Sequence, residues 1–342
     1  INSENDGAKT IVGYNNYSSF LFYICMLIKI VKQLILFIIG CIGIISIVLL
    51  FGARFPAEKN SQEIEAQYRL DSSSFVTIDG VRIHYTDQGA GSCIVLLHAN
   101  YANLIDWEPW VETFISSHRV IRFDLAGHGL TSSDPENNYS LERTLYLFEK
   151  LMDYLSIDEM ALVGASIGGT ISLHYAERHP DQVKQLILVS PGALNPRARG
   201  KLEPPNLPFF LNIITRITPK KLVAGLLNSG FGDPSRITDE LVTRWHDLLL
   251  REGQRDAQMA RMRQYVSGDI DEVIANIQSP TLIMWGAKNS IVPVELADEM
   301  AELLVNASSV EKIIYSTAGH QLVQEIGKET AIDAFDYLVK SN

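Results

Sequence analysis

Hydrophobic positions change their spacing along this chain, and each spacing predicts a different element. From Gln33 to Ala53 they run as QLILFIIGCIGIISIVLLFGA, without a charge, and about 20 such residues are enough to cross a bilayer. Alternation then sets in at 75–78 and 81–85 around Asp79-Gly80, which predicts a β-hairpin. Short continuous apolar runs at 93–97, 120–123, 160–164 and 186–189 predict strands covered on both faces. Helical spacing separates them at 105–116, 141–155 and 167–179. Two later strands, 281–285 and 312–315, bracket a helix at 294–304, and a helix at 321–339 closes the chain. A hairpin followed by strand–helix alternation predicts an α/β sheet with helices on both faces.

Between 191 and 279 the rhythm breaks. This interval holds Pro196, Pro204, Pro205, Pro208, Pro219 and Pro234, with helix-like patches at 207–217, 222–227, 238–251 and 255–266. Its place after the sixth strand suits a helical lid over a site. Phe209, Phe210, Leu211, Ile213 and Ile214 either line an acyl pocket or, more simply, pack the lid onto the sheet. The expected organisation is an N-terminal segment 1–32, a transmembrane signal anchor 33–53, a charged tether 54–71, and an α/β domain 72–342 with its lid at about 191–279.

An anchor fits better than a cleaved signal peptide, because the apolar run is long and Gly52-Ala53 leads straight into Arg54. Lys29 and Lys32 precede the span, with Lys9 further out, while Arg54 and Lys59 follow it. The slight excess before it favours a cytoplasmic N-terminus and an extracytoplasmic domain, periplasmic in a Gram-negative bacterium. Residue 1 is Ile, whereas Met26 opens a basic lead into the span, so translation is expected to begin at Met26. The rival is that 20–28 belongs to a membrane hairpin, against which Lys29 and Lys32 argue.

Net charge among the 342 residues is −11, with no basic cluster interleaved with aromatics, which speaks against nucleic acid as a partner. The three cysteines, Cys25, Cys41 and Cys93, form no disulfide framework and have no metal-ligand spacing.

The candidate chemistry lies in Gly164-Ala165-Ser166-Ile167-Gly168, which joins a predicted strand to a predicted helix. Glycines there permit a sharp turn, so the Ser166 hydroxyl stands above the sheet edge at a helix N-terminus, where developing negative charge is favoured. A serine nucleophile needs a base, and His320 in the loop after the last strand is placed to reach it. The oxyanion formed on acyl transfer needs two backbone N–H donors. Ile167, after the nucleophile, is one candidate, and Asn100 in the loop after the third strand is the other. His98 is expected to hold that loop together, and His128 to belong to a structural turn.

These residues resemble the α/β-hydrolase superfamily over about 72–340, through LLHAN, FDLAGHG, GASIGG, MWGAKNSIVP and AGH in that order. The match of VRIHYTDQG and the lidded layout look like membrane-anchored esterases or lipases, and like relatives that cleave activated C–C bonds. The resemblance implies an eight-stranded sheet, a Ser–acid–His triad, a lid and no cofactor. Two positions depart from the pattern. Ala99 stands where the family usually has glycine, and alanine tolerates positive φ poorly. Asn289 stands where W-G-x-x-D has the triad aspartate. An amide can accept a hydrogen bond from His320, but it carries no charge and can instead donate and select the wrong tautomer; in a serine protease that exchange costs about 10⁴ in turnover. Activity is then expected to be weak, or raised at high pH where His320 is neutral. Glu295 and Asp298 on the next helix are the fallback acids, with Asp124 and Asp106 weaker still.

The expected function is hydrolysis of carboxylic esters with small to medium apolar acyl groups. A C–C bond hydrolase and a non-catalytic binding protein on a degenerate hydrolase fold are the alternatives. Ser166 excludes chemistries that need an aspartate nucleophile.

Overall fold

In a computed structural model of the chain, residues 12–50, 56–195, 199, 203–205 and 218–340 are described. They divide into two units, Ile1–Arg54 and Phe55–Asn342.

The described residues of the first unit form one helix, α1 (Val12–Leu50). Within it Phe22–Ser46 is long and apolar enough to cross a membrane, and its large side chains from Phe22 to Ile45 are exposed. Length and composition suit an anchor or a signal sequence. The helix begins well before Gln33 and passes through Lys29 and Lys32 without a break, so 20–28 forms no hairpin. Lysine is a good helix former whose stem lies along apolar surface. Residues 51–53 of the expected span lie outside the described residues.

The second unit opens with α2 (Ser61–Tyr68), capped by the Asn60 side chain on the Gln62 and Glu63 amides. This corrects the expectation of a free tether over 54–71. Ile64 is buried against Leu130 and Leu248. The Lys59 N–H donates to the Leu250 carbonyl at 2.7 Å, and the Lys59 ammonium pairs with Asp247 at 2.6 Å. A single apolar residue among charges gave no periodic signal in the sequence.

Eight strands follow: β1 (Ser73–Ile78), β2 (Val81–Gly89), β3 (Ser92–Leu97), β4 (His118–Phe123), β5 (Met160–Ala165), β6 (Val183–Val189), β7 (Thr281–Gly286) and β8 (Val310–Tyr315). They form one sheet in the order β1-β2-β4-β3-β5-β6-β7-β8. Only β2 runs antiparallel to its neighbours; from β4 to β8 every pairing is parallel. Helices α3 (Glu108–Phe114), α4 (Leu141–Leu155) and α5 (Ile167–Arg178) lie between β3 and β6. The lid interval holds α6 (Lys220–Gly230), α7 (Asp239–Leu250), α8 (Gln254–Gln264) and a short α9 (Ile270–Ala275), which sequence spacing did not predict. After β7 come α10 (Leu296–Leu303), α11 (Leu322–Glu325) and α12 (Gly327–Lys340).

Period-2 side-chain alternation, with both faces apolar, builds two cores. Val95, Leu97, Leu162 and Ile283 point to one face, against Phe148 of α4 and Met300 of α10. Ile94, Leu96, Val163 and Met284 point to the other, against Trp110 of α3, Tyr337 of α12 and Trp245 of α7. Covered on both faces, the parallel strands present their carboxyl ends as the place for a site. Pro196, Pro208 and the aromatic patch with Phe209, Phe210, Leu211, Ile213 and Ile214 lie outside the described residues.

Candidate active site

Ser166 sits between β5 and α5 with φ 52° and ψ −113°, a conformation that L side chains rarely adopt. Its surroundings hold it there. Its N–H donates to the Val189 carbonyl at 3.1 Å, and its own carbonyl accepts the N–H groups of Thr170 at 3.2 Å and Gly192 at 2.9 Å. The turn also requires bare backbone on either side. A Cβ at Gly164 would lie 2.3 Å from the Gly168 carbonyl oxygen, and one at Gly168 would lie 2.4 Å from that of Leu97. The start of α5 therefore packs directly on the loop leaving β3.

His320 follows β8, and its Nε2 lies 2.9 Å from Ser166 Oγ. The insertion after β6 helps to set this loop, since the carbonyl of Gly230 at the end of α6 accepts the N–H groups of His320 at 2.6 Å and Gln321 at 3.0 Å. A second clamp is Glu325, which sequence reasoning missed. Its buried carboxylate accepts the N–H groups of Gly319 at 2.8 Å, Gly232 at 3.0 Å and Asp233 at 2.7 Å, tying the histidine loop to the loop after α6. Only its position five residues beyond His320 hinted at this, and acidic residues in first helical turns are common. Glu325→Ala is expected to destabilise the fold by about 2–5 kcal/mol, because buried N–H donors lose their acceptor. Glu325→Gln, which keeps one acceptor oxygen, is expected to lose less. Denaturant titration of both variants tests this order.

Asn289 lies after β7, and its side chain is fixed at both ends. Oδ1 accepts the N–H groups of Ile291 at 3.0 Å and Val292 at 2.9 Å. Nδ2 is thereby turned towards His320 Nδ1, 3.1 Å away. The reversed amide would set its NH₂ against two backbone donors. An amide nitrogen can only donate, so Nδ1 is the acceptor and the proton of the neutral ring sits on Nε2, facing Ser166. That is the tautomer opposite to the one a general base needs.

No carboxylate among the described residues is hydrogen-bonded to His320. Glu295 and Asp298 are exposed on α10 and its approach, with Asp298 paired to Lys312. Asp106 takes Arg244 and the Trp245 indole N–H. Asp124 accepts from His84 Nδ1 at 2.7 Å, while His84 Nε2 lies 2.7 Å from Ser73 Oγ. This second Ser–His–Asp chain is wholly buried, and Asp124 also takes the N–H groups of Leu104 and Leu130. Burial pushes the Asp124 carboxyl up, but the His84 hydrogen bond and charge outweigh it and hold Asp124 below its ordinary range.

Without a charged partner, burial lowers the His320 pKa to about 4. The ring is therefore neutral from about pH 5 upward, which moves the expected pH dependence of activity: no rise at high pH is needed to free the base. Burial likewise lowers the pKa of His98, His118, His128 and His174. In each case the folded value lies below the unfolded one, so stability is full above about pH 6.5 and is lost as pH falls towards the folded values. Each unit of separation is worth about 1.4 kcal/mol. The melting temperature is expected to drop steeply between neutral pH and about pH 4.5; a flat profile there would contradict these buried neutral rings.

Ile167 follows Ser166 as the first residue of α5, whose start packs on the Leu97 and His98 carbonyls at the head of the loop that carries Asn100. His98 braces the loop, with Nδ1 donating to the Ala99 carbonyl at 2.7 Å and Nε2 accepting the Leu125 N–H at 3.0 Å. Positive φ falls on Tyr101, at 63°, and not on Ala99, so alanine at 99 carries no backbone strain. His128 does more than shape its turn, since its Nε2 lies 3.1 Å from Asn100 Oδ1 and 2.8 Å from Gln258 Nε2. Beside Tyr101 an apolar cavity of ≈120 Å³ is walled by Leu222, Leu226, Leu249, Met259 and Met262. Among the described residues no group of three or more His, Cys, Asp or Glu is placed to hold a metal ion.

The "alpha/beta hydrolase fold" family model matches residues 93–229. The chain is 26% identical over 264 residues to a 2-hydroxy-6-oxo-6-phenylhexa-2,4-dienoate hydrolase of Burkholderia cepacia, covering 73% of this chain and 90% of the relative. Among solved structures, a bacterial membrane phospholipase A superposes with TM-score 0.67 at 18% identity, covering 91% of this chain and 99% of the other. An esterase of Exiguobacterium antarcticum gives TM-score 0.65 at 22% identity, covering 77% and 98%.

Proposed function

We propose that this member of the α/β-hydrolase fold superfamily is a membrane-anchored serine hydrolase that cleaves carboxylic esters of small to medium apolar acyl groups. The observation that carries the reading is the 2.9 Å approach of His320 Nε2 to Ser166 Oγ, on a serine held in a strained turn at a helix N-terminus. Ser166 Oγ attacks the acyl carbon and its proton passes to His320 Nε2, while the N–H groups of Ile167 and Asn100 receive the oxyanion. The departing alcohol takes the proton from Nε2, and water then resolves the acyl-enzyme by the same steps.

Asn289 makes this cycle slow. Before Nε2 can accept a proton, the ring proton must move to Nδ1, where it meets the Asn289 NH₂. The imidazolium that follows has no counter-charge. The Phe22–Ser46 span serves as the anchor, and Lys29 and Lys32 favour a cytoplasmic N-terminus with the hydrolase domain on the far side.

A second reading, C–C bond hydrolysis, is favoured by the Burkholderia cepacia relative, whose name makes it a dienoate hydrolase. Reaction with a serine-directed phosphonate, followed by parallel assays on a short-chain p-nitrophenyl ester and a 2-hydroxy-6-oxo dienoate, separates the readings. The expected result is a phosphonate adduct on Ser166 with ester preferred. Preference for the dienoate would establish the second reading, and absence of any adduct would leave a binding protein.

A further inference from the structure

We propose that Asn289 is a site of spontaneous deamidation, at which the backbone nitrogen of Ser290 converts the asparagine to aspartate. The inference rests on position 289 as the acid seat described above, and it turns a defective site into one that completes itself with time.

Three features of the loop carry it. Asn289 is itself buried, but the residue after it, Ser290, is exposed and brings solvent to the edge of the site, and its small side chain offers little steric bar to ring closure. Ser290 lies outside helix and strand, and among the described residues its N–H has no acceptor. The Asn289 carbonyl oxygen already accepts two backbone N–H groups, from Ile291 at 3.0 Å and Val292 at 2.9 Å. Those donors polarise Cγ and hold the negative charge that nucleophilic attack places on Oδ1, as in an oxyanion hole.

The balance of the reaction is simple. Ser290 N bonds to Asn289 Cγ and loses its proton; the Cγ–Nδ2 bond breaks and Nδ2 leaves as ammonia. Water then opens the new Cγ–N bond, returning the proton to Ser290 N and leaving a carboxyl group at Cγ. One water is consumed, one ammonia is released, and no oxidant or reductant takes part. Opening at Cγ yields aspartate, whereas opening at the backbone carbonyl would yield isoaspartate; the donors on Oδ1 favour the former. In the product the oxygen replacing Nδ2 faces His320 Nδ1 and accepts its proton, so the ring takes the tautomer with Nε2 free.

The chain supplies its own comparators. Asn60-Ser61 and Asn228-Ser229 have the same dipeptide. Asn60 Oδ1 takes the N–H groups of Gln62 and Glu63 just as Asn289 takes its two, but the Ser61 N–H is held by the Glu252 carboxylate at 3.0 Å. Asn228 lies inside α6, where helical backbone keeps the following nitrogen from reaching Cγ.

The test ages the full chain at mildly alkaline pH. Peptide mapping reads the amide-to-acid mass change at each asparagine, and p-nitrophenyl ester turnover is followed in the same samples. The expected result is conversion at 289 ahead of 60 and 228, with turnover rising in step towards that of Asn289→Asp. Ser290→Ile, whose branched side chain hinders ring closure, should slow both by several-fold. Ser166→Ala should convert at the unaltered rate without gaining turnover. The proposal is overturned if residue 289 keeps its amide through the ageing, whatever happens at 60 and 228, or if isoaspartate alone forms. Conversion to aspartate with no turnover, in a chain whose Asn289→Asp variant is equally inert, supports the modification and rejects the hydrolase reading.

Discussion

Asn289→Asp is expected to raise ester turnover by a factor of about 10² to 10⁴. The size follows from two separate defects that the substitution repairs. One is the tautomer: a carboxylate oxygen in place of Nδ2 accepts from Nδ1, leaving Nε2 unprotonated towards Ser166 Oγ. The other is charge, since the imidazolium formed during attack gains a counter-ion about 3 Å away in a buried site where such an interaction is weakly screened. The remaining oxygen keeps the Ile291 and Val292 N–H groups, so the loop needs no rearrangement. A shift in pH profile accompanies the gain. An adjacent carboxylate favours the charged ring, so the acid limb of kcat/KM, set in the parent by a His320 pKa of about 4, moves up by about 1–3 units. Equal activity of the two forms would mean that another group serves His320.

Ser166→Gly is expected to reduce ester hydrolysis to background while raising stability by about 1–2 kcal/mol. The serine occupies φ 52° and ψ −113°, which glycine adopts without the clash that a Cβ suffers. Ser166→Ala should remove activity just as fully with no such gain, because alanine keeps the Cβ. The pair separates the cost of the turn from the cost of the hydroxyl. Denaturant melts of the three proteins, beside ester assays, give both numbers. A glycine variant no more stable than the alanine variant would show that the turn stores no strain.

Much of this was legible in the sequence because the determining interactions are local or periodic. Runs such as Ile94–Leu97 and Leu186–Val189 are apolar at every position, which only a strand covered on both faces accommodates. Ser166 was legible since glycines at 164 and 168 are needed where backbone meets backbone. Asn289 could be assigned its seat by resemblance, but its orientation could not, as that depends on two N–H groups from residues 291 and 292. Glu325 and His84 escaped notice for a related reason. Their partners, Gly232 and Asp124, lie 93 and 40 residues away, and no spacing encodes such a meeting. The α2 segment was misread because one buried side chain, Ile64, anchors a stretch that otherwise looks solvated.

The docked segment before β1 bears on how this chain is best shortened for work in solution. The resemblance begins near residue 72, and a cut there would seem natural. It would strip Asp247 of Lys59 and Tyr68, and Leu130 and Leu248 of Ile64. A cut just ahead of residue 56 removes the apolar helix and keeps these contacts. A chain started at 72 is therefore expected to have α7 and the loop after β4 loosened, and a property measured on it would belong to the truncation.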